Sequence, residues 1–388
     1  MSSAVRSTRT PSTPVTSRAS LCDARRLVVK IGSSSLTTSD GVSREAIDAL
    51  TDVLAQARAA GTQVVLVSSG AIAAGLAPLG LPKRPRDLAT QQAAAAVGQG
   101  RLLSHYTESF QRRGLTVAQV LLTAEDLIRR TQFTNAHRSL EKLLALGVVP
   151  VVNENDTVAT QEIRFGDNDR LAALVANVVK ADALLLLSDV DALYDGPPSR
   201  PGSRRIPEIS SEEDLDGVVI GRAGPAGVGT GGMVTKVEAA RIATGSGIPA
   251  LLTSAPQAAA AWAGEDVGTW FAVSGRRRSA RSAWLGLLAD VRGRLLLDAG
   301  AVEAVVGNSR SLLPAGIIGV EGRFEAGDPV ELADPDGTVV ARGLVNYSAG
   351  ELPRMLGRST AELRADLGPE YERVVVHTDD CVRVIPPL

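Results

Sequence analysis

At 388 residues the chain is too long for one ordinary hydrophobic core, so its length predicts two or three domains. A net charge of −2 gives no overall attraction to nucleic acid or to an anionic membrane, and no apolar run reaches the ~18 residues that a spanning helix needs. The two cysteines, Cys22 and Cys381, stand near opposite ends, which excludes a disulfide framework and is typical of a reducing, cytoplasmic compartment.

The first twenty residues are rich in Ser, Thr, Pro and Arg and contain almost no apolar side chains. They lack the apolar segment of a secretory signal, so residues 1–20 are predicted to form a disordered tail. An acid-free start rich in Arg and Ser is also found in organelle transit peptides, but no amphipathic period supports that alternative.

From residue 27 onward, short apolar runs alternate with segments of helical period. The runs that predict buried strands cover residues 27–32, 63–70, 116–122, 148–152, 183–190 and 248–254. Helices are predicted between them, at residues 43–60, in a long Ala- and Gln-rich stretch that ends at Arg113, and at residues 126–146, 167–180 and 232–245. This alternation predicts an α/β fold over residues 21–272, a three-layer α/β/α sandwich with a mostly parallel sheet.

The alternation stops near residue 272. A basic stretch follows within a predicted linker at residues 273–289, and beyond it the chain consists of short strands and turns. The sequence DPDG between VEL and TVVA is typical of a β-hairpin. Residues 290–376 are therefore predicted to form a small, mostly β domain, with residues 377–388 as a C-terminal tail.

The loops after the strands are where a ligand is expected, because open α/β sheets bind ligands at the carboxyl ends of their strands. The loop NENDTVATQEIRFGDND, residues 153–169, follows a fully apolar run and contains five acidic residues and three asparagines. Two clusters of carboxylates and amides directly after a buried strand favour a polar pocket over a solvated loop. Within this loop, Asp167 is the predicted N-cap of the next helix.

Lysine is scarce in this chain, since only five of the 41 basic residues are Lys, so a retained lysine suggests that a compact point charge is needed. Two of the five stand near glycines at the ends of predicted elements. Lys30 comes just before Gly32, and Lys236 ends GVGTGGMVTK, a Gly-rich loop that runs into a helix. Such loops present backbone N–H groups to phosphate, so this pattern predicts phosphoryl transfer.

Two common nucleotide motifs are excluded. The segment GVGTGG formally matches the dinucleotide fingerprint, but it does not directly follow a strand, and no acidic residue ends a following strand. No Walker A lysine motif occurs. None of the three histidines lies in the strand-end loops, which suits an acceptor that needs no general base, such as a carboxylate that is already ionised at neutral pH.

Six ordered motifs resemble the glutamate 5-kinases of the amino acid kinase family. They are VVKIGSSSL, VSSGAIAAG, PVVNENDTVAT, EIRFGDND, LLLLSDVDALY and GTGGMVTK. The later stretch DAGAVEAVVGNSRSLLPAGIIGVEGRFEAGDPV is similar to the PUA domain that many of these kinases carry, and the resemblance covers roughly residues 24–376. It implies ATP-dependent phosphorylation of the γ-carboxylate of L-glutamate to L-glutamyl 5-phosphate, the first step of proline biosynthesis.

The resemblance also implies a substrate site. Asp156 would meet the α-ammonium group of glutamate, and Asn155 and Asn168 would form hydrogen bonds around its α-carbon. Ser69, together with Gly70, would contact the amino acid after the second strand.

A nucleotide site is implied beside it. Lys30 and Lys236 would flank the γ-phosphoryl group of ATP, and Asp169 would hold both lysines in place. The other implied ATP contacts are Ser188, Asp189, Thr230, Gly231, Gly232, Met233, Val234 and Thr235. Mg²⁺ would bridge phosphate oxygens without a dedicated protein site. Arg164 stands where some members of the family have lysine, and its role is left open.

The resemblance further implies a homo-oligomer (a dimer or a tetramer), feedback inhibition by proline, and glutamyl phosphate reductase as a partner. One alternative is another kinase of the family, acting on aspartate, acetylglutamate, carbamate or a nucleotide. The other is an RNA-binding or RNA-modifying protein, since PUA domains often bind RNA. From residue 290 onward the chain has ten arginines, no lysine and sixteen acidic residues, a balance that argues against RNA binding.

Overall fold

The computed structural model describes residues 14–38, 41–123, 125–127, 130–158, 168–198, 200–216, 218, 232–273 and 291–383. The chain divides into two compact units, Met1–Arg277 and Arg278–Leu388. Each unit has its own sheet and its own hydrophobic core.

The first unit is built on an eight-stranded sheet with the strand order β5-β6-β4-β1-β7-β9-β10-β8. Its strands are β1 (Arg26–Ile31), β4 (Gln63–Ser68), β5 (Val117–Leu122), β6 (Val149–Glu154), β7 (Ala183–Ser188), β8 (Glu208–Ile209), β9 (Ala250–Ser254) and β10 (Thr269–Phe271), and a separate small ribbon pairs β2 (Thr37–Thr38) with β3 (Gly41–Val42). All neighbours pair in parallel except β9 with β10. The predicted mostly parallel sheet is thus confirmed.

Helices pack on the strands through apolar faces. They are α1 (Arg44–Ala59), α2 (Ala71–Leu76), α3 (Leu88–Gln111), α4 (Arg130–Ala145), α5 (Asn168–Val178), α6 (Met233–Gly245) and α7 (Ala258–Trp262). In α1, Ser43 caps the first turn, and Ile47, Leu54 and Ala57 recur at helical spacing and are buried.

The long Ala- and Gln-rich stretch is two helices rather than one, so this part of the prediction was wrong. The chain leaves α2 through a 3₁₀ turn, Ala77–Leu79, and Gly80 adopts a positive φ of 64° before α3 begins. The two helices then lie so close that a Cβ on Gly98 would be 1.7 Å from the Ala71 carbonyl oxygen. The sequence does carry a signal for this fold-back, because Pro78, Gly80, Pro82 and Pro85 stand between the two helices and interrupt the helical pattern, and the prediction overlooked it.

The second unit is a five-stranded sheet with the order β12-β11-β13-β14-β15. Its elements are β11 (Gly293–Leu297), α8 (Ala299–Val302), β12 (Ile317–Gly322), β13 (Pro329–Ala333), β14 (Val339–Val345), α9 (Thr360–Leu367) and β15 (Val376–Arg383). β13 and β14 pair antiparallel around DPDG, which confirms the hairpin. The boundary at residue 376 was placed too early, because β15 completes this sheet by pairing with β14.

The predicted end of the N-terminal tail, at residue 20, was also placed too late. Val15 is buried in the core of the first unit, and a 3₁₀ helix spans Arg18–Asp23. Arg18 reaches Asp266 and donates to the Pro207 carbonyl oxygen at 2.6 Å, so it anchors this segment in spite of its polar composition. Among the described residues, no helix is both long and apolar enough to cross a membrane.

Candidate active site

The carboxyl ends of four neighbouring parallel strands meet at one edge of the first sheet. β6, β4, β1 and β7 lie side by side, and the register sets Ile31 opposite Ser68 on one side and opposite Leu187 on the other. Because the strands are parallel, the loops that follow them converge on this edge. The described polar residues singled out in the sequence come from the ends of these strands, from the loops after them and from the first turns of α5 and α6.

At the centre, Asp169 forms ion pairs with two lysines. Its Oδ1 pairs with Lys30 Nζ, and its Oδ2 lies 3.3 Å from Lys236 Nζ. Asp169 is 0% exposed, Lys30 3% and Lys236 7%. Charged side chains are almost never buried to this extent unless they are paired. The three predicted catalytic residues are therefore brought into one buried cluster.

The charge state of Asp169 follows from its surroundings. Burial alone raises the pKa of a carboxyl group, but the positive charges of Lys30 and Lys236, together with their hydrogen bonds, outweigh burial and hold the pKa of Asp169 below its ordinary value. Asp169 also lies in the first turn of α5, where the helix dipole favours a negative charge. It is ionised at neutral pH.

The two helices that carry these residues are joined by further contacts. Thr235 Oγ1 lies 3.2 Å from Asp169 Oδ2 and 2.9 Å from the Gly232 carbonyl oxygen. One residue after Asp169, Arg170 donates to Glu238 Oε2 from both Nε (3.0 Å) and an η nitrogen (2.5 Å). These bonds set the position of α5 relative to α6, and with it the distance from Asp169 to Lys236.

Within the described residues, no side chain caps the start of α6. Gly232 occupies the N-cap position in an extended conformation and offers no side-chain oxygen to the first turn. Met233, Val234 and Thr235 form that turn and are half-buried. Backbone N–H groups at such an end can donate to an anion, and the helix dipole favours a negative charge there. Thr230, Gly231, Asp167 and Arg164 lie outside the described residues.

A second group of polar side chains lies at the ends of β4 and β6. Asn168 Nδ2 donates to the Ser68 carbonyl oxygen at 2.7 Å and to Asn153 Oδ1 at 2.6 Å. Asp156 is buried, and Asn155 is half-buried, with its backbone N–H bonded to the Leu122 carbonyl oxygen at 2.9 Å. The predicted substrate residues from two separate loops thus share one edge of the sheet.

Ser69 and Gly70 belong to the same edge. The Ser69 N–H donates to the Ile31 carbonyl oxygen at 3.1 Å, which ties the end of β4 to β1. Gly70 has φ 103° and ψ 0° and begins α2, a conformation that favours glycine. This turn lets the chain enter α2 directly after the strand.

On the other side of β1, Ser188 ends β7. It is buried, and its Oγ donates to Asp189 Oδ1 at 2.8 Å, whereas Asp189 itself is exposed. This places one predicted ATP contact at the surface and the other beneath it.

The sequence pattern missed Asn153 and the Arg170–Glu238 pair. Asn153 is buried, and its Nδ2 has no hydrogen-bond partner in the part of the chain that the structure describes. Asn153 was counted among the polar residues of the loop 153–169 but was given no role, and the structure places it near the end of strand β6, two positions before Asn155. The ion pair had no sequence signal, because its members come from different helices.

The donors among the described residues bear on how a divalent ion could be held. No group of three or more His, Cys, Asp and Glu side chains is arranged to hold a metal within the described ranges. Asp169, the carboxylate at the centre of the site, is already neutralised by two lysines. These donors fit a Mg²⁺ ion that is held mainly by phosphate oxygens.

Comparison with known proteins identifies the family of each unit. The amino acid kinase family model matches residues 25–254, and the PUA domain model matches residues 293–367. Glutamate 5-kinase from Streptomyces coelicolor is 64% identical over 370 residues, which cover 95% of this chain and 99% of the relative. Glutamate 5-kinase from Salinispora arenicola is 65% identical over 360 residues, or 92% and 98% of the two chains.

Among solved structures, the carbamate kinase from Giardia lamblia bound to AMP-PNP has a TM-score of 0.49 and 19% identity, and it covers 65% of this chain and 100% of its own. The assignment therefore depends on the sequence relatives, which match nearly the whole chain. The protein belongs to the amino acid kinase family and, within it, to the glutamate 5-kinases.

Proposed function

We propose that the protein transfers the γ-phosphoryl group of ATP to the γ-carboxylate of L-glutamate, giving L-glutamyl 5-phosphate and ADP for proline synthesis. The observation that carries this proposal is the buried Lys30–Asp169–Lys236 cluster at the carboxyl edge of the sheet. The names of relatives at 64% and 65% identity support the choice of substrate.

In the reaction, a γ-carboxylate oxygen of glutamate forms a bond to the γ-phosphorus, and the bond from that phosphorus to the bridging oxygen of ADP breaks. No general base is needed, because a carboxylate with a pKa of about 4.3 is already ionised at neutral pH. The work left to the protein is to align the two anions and to stabilise the charge on the transferring group.

Lys30 and Lys236 perform the second task in this proposal. Two compact ammonium groups come from different elements, β1 and α6, and meet at Asp169. Each ammonium has three N–H donors. The ion pair with Asp169 uses some of the N–H donors of each lysine and fixes the direction of each lysine side chain. The remaining N–H donors can then face a phosphoryl oxygen. Asp169 is then a positioning residue that stays ionised.

The amino acid lies beside this cluster, at the ends of β4 and β6. The amide group of Asn168 donates both of its hydrogens, to Ser68 and to Asn153, so it can serve glutamate only as an acceptor through Oδ1. That role suits the α-ammonium group, which Asp156 also meets. Asn153 Nδ2, a buried donor, suits the α-carboxylate, while Asn155, Ser69 and Gly70 complete the pocket.

ATP occupies the other half of the edge. Its phosphates meet residues 230–236, which include the first turn of α6, while Ser188 and Asp189 contact the nucleotide from the end of β7. Mg²⁺, when bound, would be held mainly by the phosphates and would supply positive charge that neutralises the nucleotide. We further propose a cytoplasmic location, a dimer or tetramer, feedback inhibition by proline, and glutamyl phosphate reductase as the acceptor of the labile product.

The decisive experiment traps the acyl phosphate. Purified protein is incubated with ATP, Mg²⁺ and hydroxylamine, and hydroxamate is measured with glutamate, aspartate or acetylglutamate as acceptor. Carbamate and a nucleoside monophosphate are tested by ADP release. Glutamate should give the highest kcat/KM. A preference for another acceptor would contradict the proposed substrate, and the absence of ADP release with every acceptor would contradict kinase activity.

A further inference from the structure

Tyr106 lies outside the predicted site, yet its hydroxyl reaches the site's edge. It is carried by α3, is 0% exposed, and its hydroxyl lies 3.0 Å from Ser68 Oγ. Ser68 is the last residue of β4 and immediately precedes Ser69 and Gly70. The contact therefore links a helix in the core to the strand end on which the proposed glutamate pocket is built.

The direction of the hydrogen bonds can be worked out. Ser68 Oγ donates its single proton to the Ser69 carbonyl oxygen at 3.0 Å. It can then only accept from Tyr106, so the phenolic O–H is the donor. Burial raises the pKa of Tyr106 above its ordinary value, which keeps that proton in place. The result is a relay from Tyr106 through Ser68 to the Ser69 carbonyl group.

The same strand end is held from two other sides. Asn168 Nδ2, from α5, donates to the Ser68 carbonyl oxygen at 2.7 Å, and the Ser69 N–H donates to Ile31 of β1 at 3.1 Å. The first contact comes from a residue of the proposed site, and the second comes from a neighbouring strand of the sheet. Tyr106 is the contact that fixes the Ser68 side chain from the core.

Packing alone does not explain the hydroxyl. Phe110 lies one turn further along α3, is also 0% exposed, and its ring centre is 6.4 Å from that of Tyr106. At position 110 a phenylalanine is enough to fill the core. At position 106, where the ring reaches β4, the chain has a tyrosine. A buried hydroxyl has to be hydrogen-bonded to be tolerated, and this one is bonded at the strand end.

We propose that Tyr106 is a positioning residue for the amino acid substrate: its hydroxyl holds Ser68, and through Ser68 the Ser69 peptide, in the geometry that binds glutamate. The inference rests on the proposed function, because it assigns the Ser69 loop to the glutamate pocket. It concerns binding of the amino acid and not phosphoryl transfer, since the lysine cluster is built from other elements.

The test compares two variants that each remove one buried hydroxyl. Tyr106→Phe breaks the relay. Tyr347→Phe, in the second unit, is the matched control, because Tyr347 is also buried and its hydroxyl donates to a backbone carbonyl oxygen, that of Arg373, at 3.0 Å. We expect Tyr106→Phe to raise the KM for glutamate by about 3- to 10-fold, on the scale of one neutral hydrogen bond. The KM for ATP and kcat should stay within about twofold.

A merely structural role gives a different pattern, because loss of folded enzyme lowers the apparent kcat and leaves KM unchanged. The double variant Ser68→Ala/Tyr106→Phe removes both hydroxyls of the relay, leaves neither unpaired, and guards against poor folding of a single variant. Its KM for glutamate should rise by the same factor as in Tyr106→Phe, since both variants break one relay.

An unchanged KM for glutamate in Tyr106→Phe or in the double variant would overturn the inference. An equal rise in both KM values, or an equal rise in Tyr347→Phe, would also overturn it, because the effect would then be general. Failure of the proposed function is distinguishable, since the wild-type protein would then form no hydroxamate with glutamate.

Discussion

Each unit of the molecule contains a carboxylate between two cations, but the two arrangements differ in origin and burial. In the second unit, Glu331 lies 2.8 Å from Arg294 and 3.6 Å from Arg342, with side chains 19–36% exposed. In the first unit, Asp169 lies between Lys30 and Lys236, with side chains 1–9% exposed.

The surface group follows from strand register alone. Arg294, Glu331 and Arg342 are direct partners across β11, β13 and β14, so pairing the strands brings the charges together. Cross-strand charge pairs of this kind add modestly to a sheet, and exposed pairs add little.

The buried group differs in its energetics. Removing three charges from water costs free energy, and well-packed apolar side chains of similar volume would often stabilise the core as much or more. The buried group also uses two of only five lysines in a chain with 41 basic residues. A buried arrangement that costs stability and uses compact point charges is what the proposed catalytic role requires.

The largest expected effect is on folding. Asp169→Asn leaves two buried ammonium groups without their counter-charge and should lower the free energy of unfolding of the first unit by about 3–5 kcal/mol at neutral pH. The charge of Asp169 stabilises the fold above the unfolded-state pKa of about 3.9, and this contribution is lost as pH falls through the lower folded-state pKa. The gap between variant and wild type should therefore narrow only in acid.

Urea unfolding followed by circular dichroism from pH 7 to pH 3 measures this gap. Glu331→Gln is the matched control, because it removes the central carboxylate of the surface group, and its unfolding midpoint should stay close to that of the wild type. If both substitutions lowered the free energy of unfolding equally, burial would not distinguish the stability contributions of the two charge groups.

The next effect is on turnover. Lys30→Ala or Lys236→Ala should lower kcat by about 10²- to 10³-fold, the scale of losing one preorganised donor to a transition-state charge. Lys30→Arg should restore only part of it, because a planar guanidinium cannot take the place of a compact ammonium. The control is Lys142→Ala on the exposed side of α4. Wild-type turnover in Lys30→Arg would show that any cation suffices.

Asp156→Asn should act on substrate binding. It keeps the shape of the side chain and removes its charge, so loss of a charge-assisted contact of ~1.5–3 kcal/mol should raise the KM for glutamate by roughly 10- to 150-fold. The KM for ATP should hardly change. Steady-state kinetics with each substrate varied in turn measures both, with the exposed Asp216→Asn as control. Weaker ATP binding with unchanged glutamate binding would mean that the glutamate and ATP halves of the site have been assigned the wrong way round.

Removing the second unit should have a small effect on chemistry. The residues proposed for catalysis and binding all precede residue 237, and the second unit has its own core. A chain that ends at Gly275 should fold and phosphorylate glutamate with kcat within about threefold of the full chain, in the range of weak couplings. ADP release and circular dichroism test this. A folded but inactive truncation would assign part of the active site to the second unit.

The smallest effect is expected for RNA. Residues 283–388 carry an acidic excess and should bind RNA no more tightly than ~10⁻⁴ M at physiological salt, the weak end of non-specific affinity. A fluorescence titration at several salt concentrations measures this. Submicromolar binding that weakens with salt would restore the RNA-linked alternative.

Much of the architecture was open to prediction from the sequence, because it depends on local pattern. Apolar runs such as 183–190 gave buried strands, and the period of residues 43–60 gave α1. The six motifs and their order identified the family, and the scarcity of lysine drew attention to Lys30 and Lys236. The pattern was misread where Pro and Gly interrupt a helical stretch, as between α2 and α3. It failed where a polar segment packs on the core, as at Val15 to Asp23.

What the sequence by itself determined is therefore the kinds of side chain that follow each strand. Tertiary structure decided which of them touch. Lys30 and Lys236 are 206 positions apart, and only the parallel order β6-β4-β1-β7 and the joined starts of α5 and α6 bring both to Asp169. The same holds for Tyr106, whose hydroxyl forms its hydrogen bond with Ser68, a residue 38 positions away in the sequence. The reason is that burial and charge pairing depend on distances in space, which spacing along the chain does not specify.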